Sequence, residues 1–171
     1  MRSHNQTAGA AIALLVSATF ASSAMAANLG TPISEADLAA WDIDISTSTG
    51  DGLPDGQGTL LEPDGTQYEG QFVDGVRSGE GEQIEPDGTR YVGTFEDDLA
   101  DGSGRVELPN GGVYEGEVRA GKLHGSGTYT APEGDVYVGA FVDDWPDGTI
   151  QVTKSDGSQQ EQLWQDGKQV Q

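Results

Sequence analysis

One stretch of this chain repeats itself every 23 residues without a gap. Tyr68-Glu69-Gly70-Gln71-Phe72 returns as Tyr91-Val92-Gly93-Thr94-Phe95, as Tyr114-Glu115-Gly116-Glu117-Val118 and as Tyr137-Val138-Gly139-Ala140-Phe141. Other columns keep the same step: Gly56, Gly79, Gly102, Gly125 and Gly148; Gly58, Gly81, Gly104 and Gly127; Pro63, Pro86, Pro109 and Pro132. A fixed period means that each unit builds the same local structure and buries its apolar side against its neighbours. Full units span 68–90, 91–113, 114–136 and 137–159, within an array that covers 51–171. The end units are partial, and in the last of them Gln160, Gln162 and Trp164 replace Tyr, Gly and Phe.

Each unit reads as two strands. Tyr-x-Gly-x-Phe alternates at period two, Asp74-Gly75 or its equivalent turns the chain, Gly79-x-Gly81 opens a return strand, and Pro86-Asp87-Gly88 turns it again. The fold class is therefore all-β, a single-layer antiparallel meander of hairpins. Parity sharpens the reading, because keeping Tyr68 and Tyr91 on one face over an odd step requires one even turn and one odd loop. Pro86-Asp87-Gly88 suits a three-residue loop with glycine in the left-handed position, which leaves Asp74-Gly75 as the even turn. Pairing then sets Gly93 opposite Gly81, Phe95 opposite Gly79 and Tyr91 opposite Gln83, with Phe72 and Phe95 flanking Gly79. Rings would lie over bare backbone, which accounts for glycine where strand propensity disfavours it, at Gly70, Gly79, Gly81, Gly93, Gly102, Gly104, Gly116, Gly125, Gly127 and Gly139. Leu60, Val106, Tyr129 and Val152 complete the apolar side.

The N-terminus reads differently. Met1 to Gln6 carries Arg2, Ala8 to Phe20 is apolar or small, and Ala24-Met25-Ala26 supplies the small residues that signal peptidase requires. Residues 1–26 are expected to be a signal peptide cleaved after Ala26, sending the chain to a periplasm or outside the cell. In the following segment, 27–50, Ser34 begins a capping-box-like sequence, and Ile33 and Leu38 are spaced as a hydrophobic staple. A short helix from Glu35 to Trp41 is expected to cap the front of the sheet.

The pattern Tyr-x-Gly-x-Phe-x-x-Gly-x-x-x-Gly-x-Gly in a 23-residue unit resembles the membrane occupation and recognition nexus (MORN) repeat. Asp98 and Asp144 depart from it where the first turn glycine is usual, Val118 replaces an aromatic, and the last unit reads Gly148-Thr149-Ile150. The resemblance implies a binding and spacing module whose chemistry, where a family member has any, belongs to an attached domain. Nothing flanking the repeats in this chain is long enough to be such a domain, so the resemblance implies a non-catalytic protein.

Charge narrows the partners. With 29 Asp and Glu against 8 Lys and Arg, a formal charge of -21 argues against nucleic acid and makes anionic lipid an unlikely partner. The absence of cysteine removes thiolate chemistry and thiolate metal sites. His124, the only histidine beyond the signal sequence, cannot form a histidine metal cluster and is read as a turn residue before Gly125. Asp97, Asp98 and Asp101, and again Asp143, Asp144 and Asp147, gather oxygen ligands at equivalent turns, a pattern shared by weak calcium sites and by solvated turns. No cofactor is expected beyond that weak calcium. The aromatic ladder also has two roles open to it: packing, or a binding face made of Tyr68, Phe72, Tyr91, Phe95, Tyr114, Tyr137, Phe141, Trp145 and Trp164. The expected partner is another envelope or secreted protein, with self-association through open sheet edges as a further option. A carbohydrate or cell-wall module, with Trp145 and Trp164 as stacking platforms, is the rival reading.

Overall fold

The structure, a computed structural model, describes residues 54–170 and the backbone of Asp42–Ile45. The signal peptide expected over 1–26 and the helix expected over 35–41 lie outside the described residues. Twelve strands form one antiparallel sheet in sequence order. They are β1 (Asp42–Ile45), β2 (Gly56–Leu61), β3 (Gln67–Val73), β4 (Val76–Ile84), β5 (Arg90–Glu96), β6 (Leu99–Glu107), β7 (Val113–Arg119), β8 (Lys122–Thr130), β9 (Val136–Val142), β10 (Trp145–Thr153), β11 (Gln159–Gln165) and β12 (Lys168–Val170).

The two connections alternate as parity demands. Asp74-Gly75 is a two-residue turn with φ of 50° and 83°, and Asp97-Asp98, Ala120-Gly121, Asp143-Asp144 and Asp166-Gly167 repeat it with both residues at positive φ. That is the mirror-image turn whose twist matches a hairpin. Pro86-Asp87-Gly88 is the three-residue loop, closed by Glu85 N donating to Thr89 O at 2.8 Å and Gly88 N donating to Glu85 O at 2.9 Å. Asp87 Oδ1 accepts from Thr89 N at 2.8 Å, and Asp64, Asn110 and Asp156 make the same bond in their own loops. Each side chain thus holds its loop in place of a backbone partner.

Across the three-residue loop the expected register holds, with Gly79 opposite Phe95, Gly81 opposite Gly93 and Gln83 opposite Tyr91. Across the two-residue turn it is corrected. Gly70 pairs with Gly81, but Phe72 pairs with Arg77 and not with Gly79. The return strand carries two more residues than its partner between those pairs, and the same irregularity recurs at Gly93/Phe95 and Gly116/Val118. An even excess leaves every side chain on its original face, so the parity argument survives the bulge. Gly79, Gly102 and Gly125 are the bulge residues, at φ of 73°, 109° and 60°. A Cβ on Gly79 would meet the Gln71 side chain, not a ring. These glycines serve backbone conformation, and the room for the ladder comes from a different set.

That set is Gly70 and Gly81 under Tyr68, Gly93 and Gly104 under Tyr91, and Gly116 and Gly127 under Tyr114. A Cβ on Gly81 would lie 2.6 Å from the Tyr68 ring. Gly139 departs from the pattern, with Ile150 over it in place of a tyrosine. The rings of Tyr68 on β3 and Phe95 on β5 lie 4.9 Å apart, edge to face, although two strand spacings are about 10 Å. They lean together over the bare backbone of β4, and this one face carries the whole buried core, from Leu60 to Trp164.

Candidate functional site

The inner face is consumed by packing. Tyr68, Phe72, Tyr91, Phe95, Tyr114, Tyr137, Phe141 and Trp164 are all buried, none more than 4 % exposed. Within a unit Tyr68 meets Phe72 at 5.2 Å, and Tyr91 meets Phe95 at 5.2 Å; between units Tyr114 meets Phe141 at 5.1 Å, all edge to face. Such pairs are worth about 0.5–1.5 kcal/mol each beyond the area they bury. The tyrosine hydroxyls close the arrangement, with Tyr68 donating to Gln71 O, Tyr91 to Thr94 O and Tyr114 to Glu117 O, each at 2.9 Å. Burial pushes the Tyr68 and Tyr91 phenols up to about 12, opposed at Tyr68 by the Arg77 charge, and it raises Tyr114 as well. Eight of the nine residues read from the sequence as a binding face are therefore interior. Trp145 alone is exposed, at 36 %. Trp164 offers no platform to a sugar, since its indole N–H donates to Gln162 Oε1 at 3.1 Å inside the fold.

A polar cluster interrupts the core in the first units. Arg77 is fully buried in the column that Ala100, Leu123 and Pro146 occupy in later units. Its guanidinium donates to Gln83 Oε1 at 2.6 Å, to Asp98 Oδ1 at 3.3 Å and to Asp98 O at 2.5 Å, and lies 3.6 Å from Glu62. The Tyr68 and Phe95 rings face it at 5.6 and 5.7 Å. Gln83 in turn donates to Glu85, which also accepts from Thr66 Oγ1 at 3.3 Å. Burial raises the Glu85 carboxyl above its ordinary range, against those two bonds. Gln83 stands where Val106, Tyr129 and Val152 follow, and Glu62 and Glu85 stand where Leu108 and Ala131 follow. Reading the apolar columns unit by unit would have found this cluster.

The acidic turns are clips. Asp98 N donates to Arg77 O at 3.2 Å while Arg77 N donates to Asp98 Oδ1 at 2.9 Å. Asp144 repeats this on Leu123, at 3.0 and 2.9 Å. Gly75 and Gly121 make only the backbone half, to Pro54 O and Ala100 O. Aspartate in place of the turn glycine therefore adds a second bond to the preceding hairpin. Burial pushes the Asp144 carboxyl up to about 6, against the Leu123 N–H and the Lys122 charge. Of the other expected cation ligands, Asp101 accepts from Ala120 N at 3.0 Å and Asp143 lies 3.9 Å from Lys122, while Asp97 and Asp147 face solvent. Among the described residues no three histidine or carboxylate side chains converge as a metal site. His124 lies inside β8 beside the bulge, where its carbonyl accepts from the Tyr114 hydroxyl at 3.2 Å, so it is a strand residue and not a turn residue.

The outer face is the accessible one, and its two halves differ. From β4 to β7 an ion-pair ladder crosses the strands, with Arg90 on Glu82 at 2.6 Å and Glu107 at 3.4 Å, and Arg105 on Glu107 at 3.0 Å and on Glu115. The arginines are 36 % and 43 % exposed, so water screens these pairs and they add little to stability. At the front of this half, a shallow cavity of about 510 Å³ is lined by Thr59, Leu61, Gln67, Glu69, Glu82 and Ile84 among others. From β8 to β10 the central rows change to Ser126, Thr128, Val138, Ala140, Thr149 and Gln151, with Asp147 opposite Ala140 and Glu161 of β11 opposite Gln151 as the acidic members. The sequence reading, centred on the rings, passed over this face; its signal was the run Val136, Val138, Ala140, Val142 on alternate positions.

The chain is similar to the TCP domain of SAS-4 (dCPAP) from Drosophila melanogaster, solved in complex with a proline-rich motif of Ana2 (dSTIL). The identity is 18 %, over 68 % of this chain and 64 % of that one, with a TM-score of 0.41. It is also similar to the wild-type TCP10 domain of Danio rerio CPAP in complex with a peptide of Danio rerio STIL, at 21 % identity over 72 % of this chain and 66 % of that one, with a TM-score of 0.32. The chain thus spans just under two thirds of each. No curated protein sequence matches it. The family model for the MORN repeat matches residues 51–67, 68–90, 91–113 and 114–136, the same boundaries that the tyrosine spacing marks. Those matches take in half of the chain, and the protein belongs to the MORN repeat family.

Proposed function

We propose that this protein is an exported, non-catalytic scaffold that holds or spaces another protein of the envelope or the secreted space. The observation that carries this reading is the division between the faces. The inner rings are spent on holding a single sheet together, and the outer face offers regular rows of side chains across consecutive strands. Such a surface suits another macromolecule better than a small substrate, which is usually held in a concave pocket. Membership of a repeat family supports the same reading, since stacked units create extended binding surfaces. Export rests on the Met1 to Ala26 sequence. Two measurements test the proposal. The chain produced in an exporting host should begin at Ala27 by mass spectrometry, and cross-linking of the tagged protein in envelope extract should return the same protein partner repeatedly. An intact N-terminus removes the export, and repeated failure to capture any protein removes the scaffold.

A further inference from the structure

We propose that the outer face of β8–β11 is a docking surface for a protein segment that is apolar at its centre and basic on its flanks. The inference rests on the scaffold reading and assigns it a place and a chemistry. Of the six large hydrophobic residues that stand exposed among the described residues, four gather at this end: Val138 at 46 %, Val142 at 44 %, Trp145 at 36 % and Leu163 at 52 %. Val138, Val142, Trp145 and Leu163 all project from the side of the sheet opposite the ring ladder, because their sequence neighbours Tyr137, Phe141, Pro146 and Trp164 are buried on the inner side. Isolated exposed hydrophobics are ordinary, but a group of four on one face, with Asp147 and Glu161 set among them, marks an interaction site.

The fourth unit also differs in shape. In earlier units the residue between the repeat glycine and the aromatic position covers the bulge glycine of the return strand: Gln71 over Gly79, Thr94 over Gly102 and Glu117 over Gly125. In the fourth unit that residue is Ala140, and nothing lies within 4 Å of the Cβ position of Gly148. The outer side of Gly148 is thus uncovered, beside Asp147 and Thr149 of the same strand.

Area and charge select the occupant. Four strands about 4.8 Å apart and about five residues long make a patch of about 300 Å², well below the roughly 800 Å² per partner of a stable complex between two folded proteins. A second copy of this chain would have to extend the contact onto acidic surroundings of its own sign. Residues 137–170 carry six acidic side chains against Lys154 and Lys168, within a chain of formal charge -21. Asp147 and Glu161 stand within the rows of the patch and Asp143 and Asp166 in the turns beside it, and together they attract lysine or arginine next to an apolar centre. A short segment with an apolar middle fits the area, and basic ends fit the rim.

The test uses the full chain and a fluorescent synthetic peptide, Lys-Lys-Val-Thr-Leu-Thr-Val-Lys-Lys, with binding read by anisotropy. The parent should bind it saturably. Replacing Val138 and Leu163 together by serine should weaken binding about tenfold, whereas the same change at Leu61 and Val73, exposed at the other end of the sheet, should leave it unchanged. A peptide with serine throughout its middle should also bind about tenfold more weakly. Because Val138 and Leu163 are exposed, the double variant should keep the parent's circular dichroism. The proposal is overturned if the double variant binds as the parent does, or if the serine-centred peptide binds equally. Sedimentation that reveals a dimer broken by the double variant overturns it too, in favour of a second copy. The two readings fail separately: a protein captured from envelope extract by parent and double variant alike discards this face and keeps the scaffold.

Discussion

Asp98 and Asp144 occupy the same turn position, two units apart, and clip the preceding hairpin through the same pair of bonds, yet replacing each by asparagine should move stability in opposite directions. Asparagine keeps a side-chain oxygen to accept the N–H and tolerates positive φ, so the substitution removes charge and little else. At Asp98 the charge answers Arg77, whose guanidinium is fully buried and 3.3 Å away. Leaving that cation without its carboxylate should cost about 3 kcal/mol, even with Glu62 still at 3.6 Å. At Asp144 Leu123 stands in place of the arginine, and burial lifts the carboxyl from 3.8 to about 6. The difference corresponds to about 3 kcal/mol at most, which solvent at the edge of the turn reduces to about 1–2 kcal/mol. The sign follows from proton binding. With its folded value raised, the Asp144 site takes up a proton more readily in the folded chain, so its favourable contribution is complete below about pH 4 and is lost as pH rises through about 6. Asp144→Asn should therefore gain about 1–2 kcal/mol at pH 7 and nothing at pH 4. Urea unfolding of parent and both variants at pH 4, 5, 6 and 7, followed by circular dichroism, reads these differences directly. Should the two variants lose similar stability at pH 7, geometry and not charge governs the clip, and the argument is refuted.

Three further outcomes are expected. Gly81→Ala should destabilise by about 2–3 kcal/mol, because its Cβ would lie 2.6 Å from a fully packed Tyr68 ring. Gly88→Ala, with open space around it and φ at 92°, should cost only about 1 kcal/mol; equal melting temperatures for the two would discard the ring-over-glycine account. Arg77→Leu alone should cost about 3 kcal/mol, whereas changing Arg77, Gln83, Glu62 and Glu85 together to leucine, valine, leucine and leucine should be neutral or stabilising. A quadruple variant less stable than the single one would show that the polar cluster is more than a substitute for an apolar column. Millimolar calcium should leave the melting temperature unchanged, since the turn carboxylates are engaged in clips or spread along the surface, and a rise of several degrees would restore a cation site.

The repeat made most of the fold legible in one dimension. A 23-residue step, a Pro-Asp-Gly loop and an Asp-Gly turn left the choice of strand, of parity and of face to local backbone chemistry, and the structure follows it through Gly81 opposite Gly93 and Gln83 opposite Tyr91. Local chemistry could not reveal the bulge. Two extra residues change the partner of Phe72 from Gly79 to Arg77 while leaving every side chain on its face, so neither hydropathy nor parity registers them.

What the sequence alone determined is which side chains share a face, because alternation and turn length settle that within each hairpin. What only the tertiary structure decided is which of those faces is inside. Rings on strands two apart close to 4.9 Å over bare glycine backbone, and that closure converts the most conspicuous residues into core. It leaves Val138, Val142, Trp145 and Leu163, inconspicuous in the chain, among the apolar residues that water still meets. Burial depends on contacts between units, and no single unit contains them.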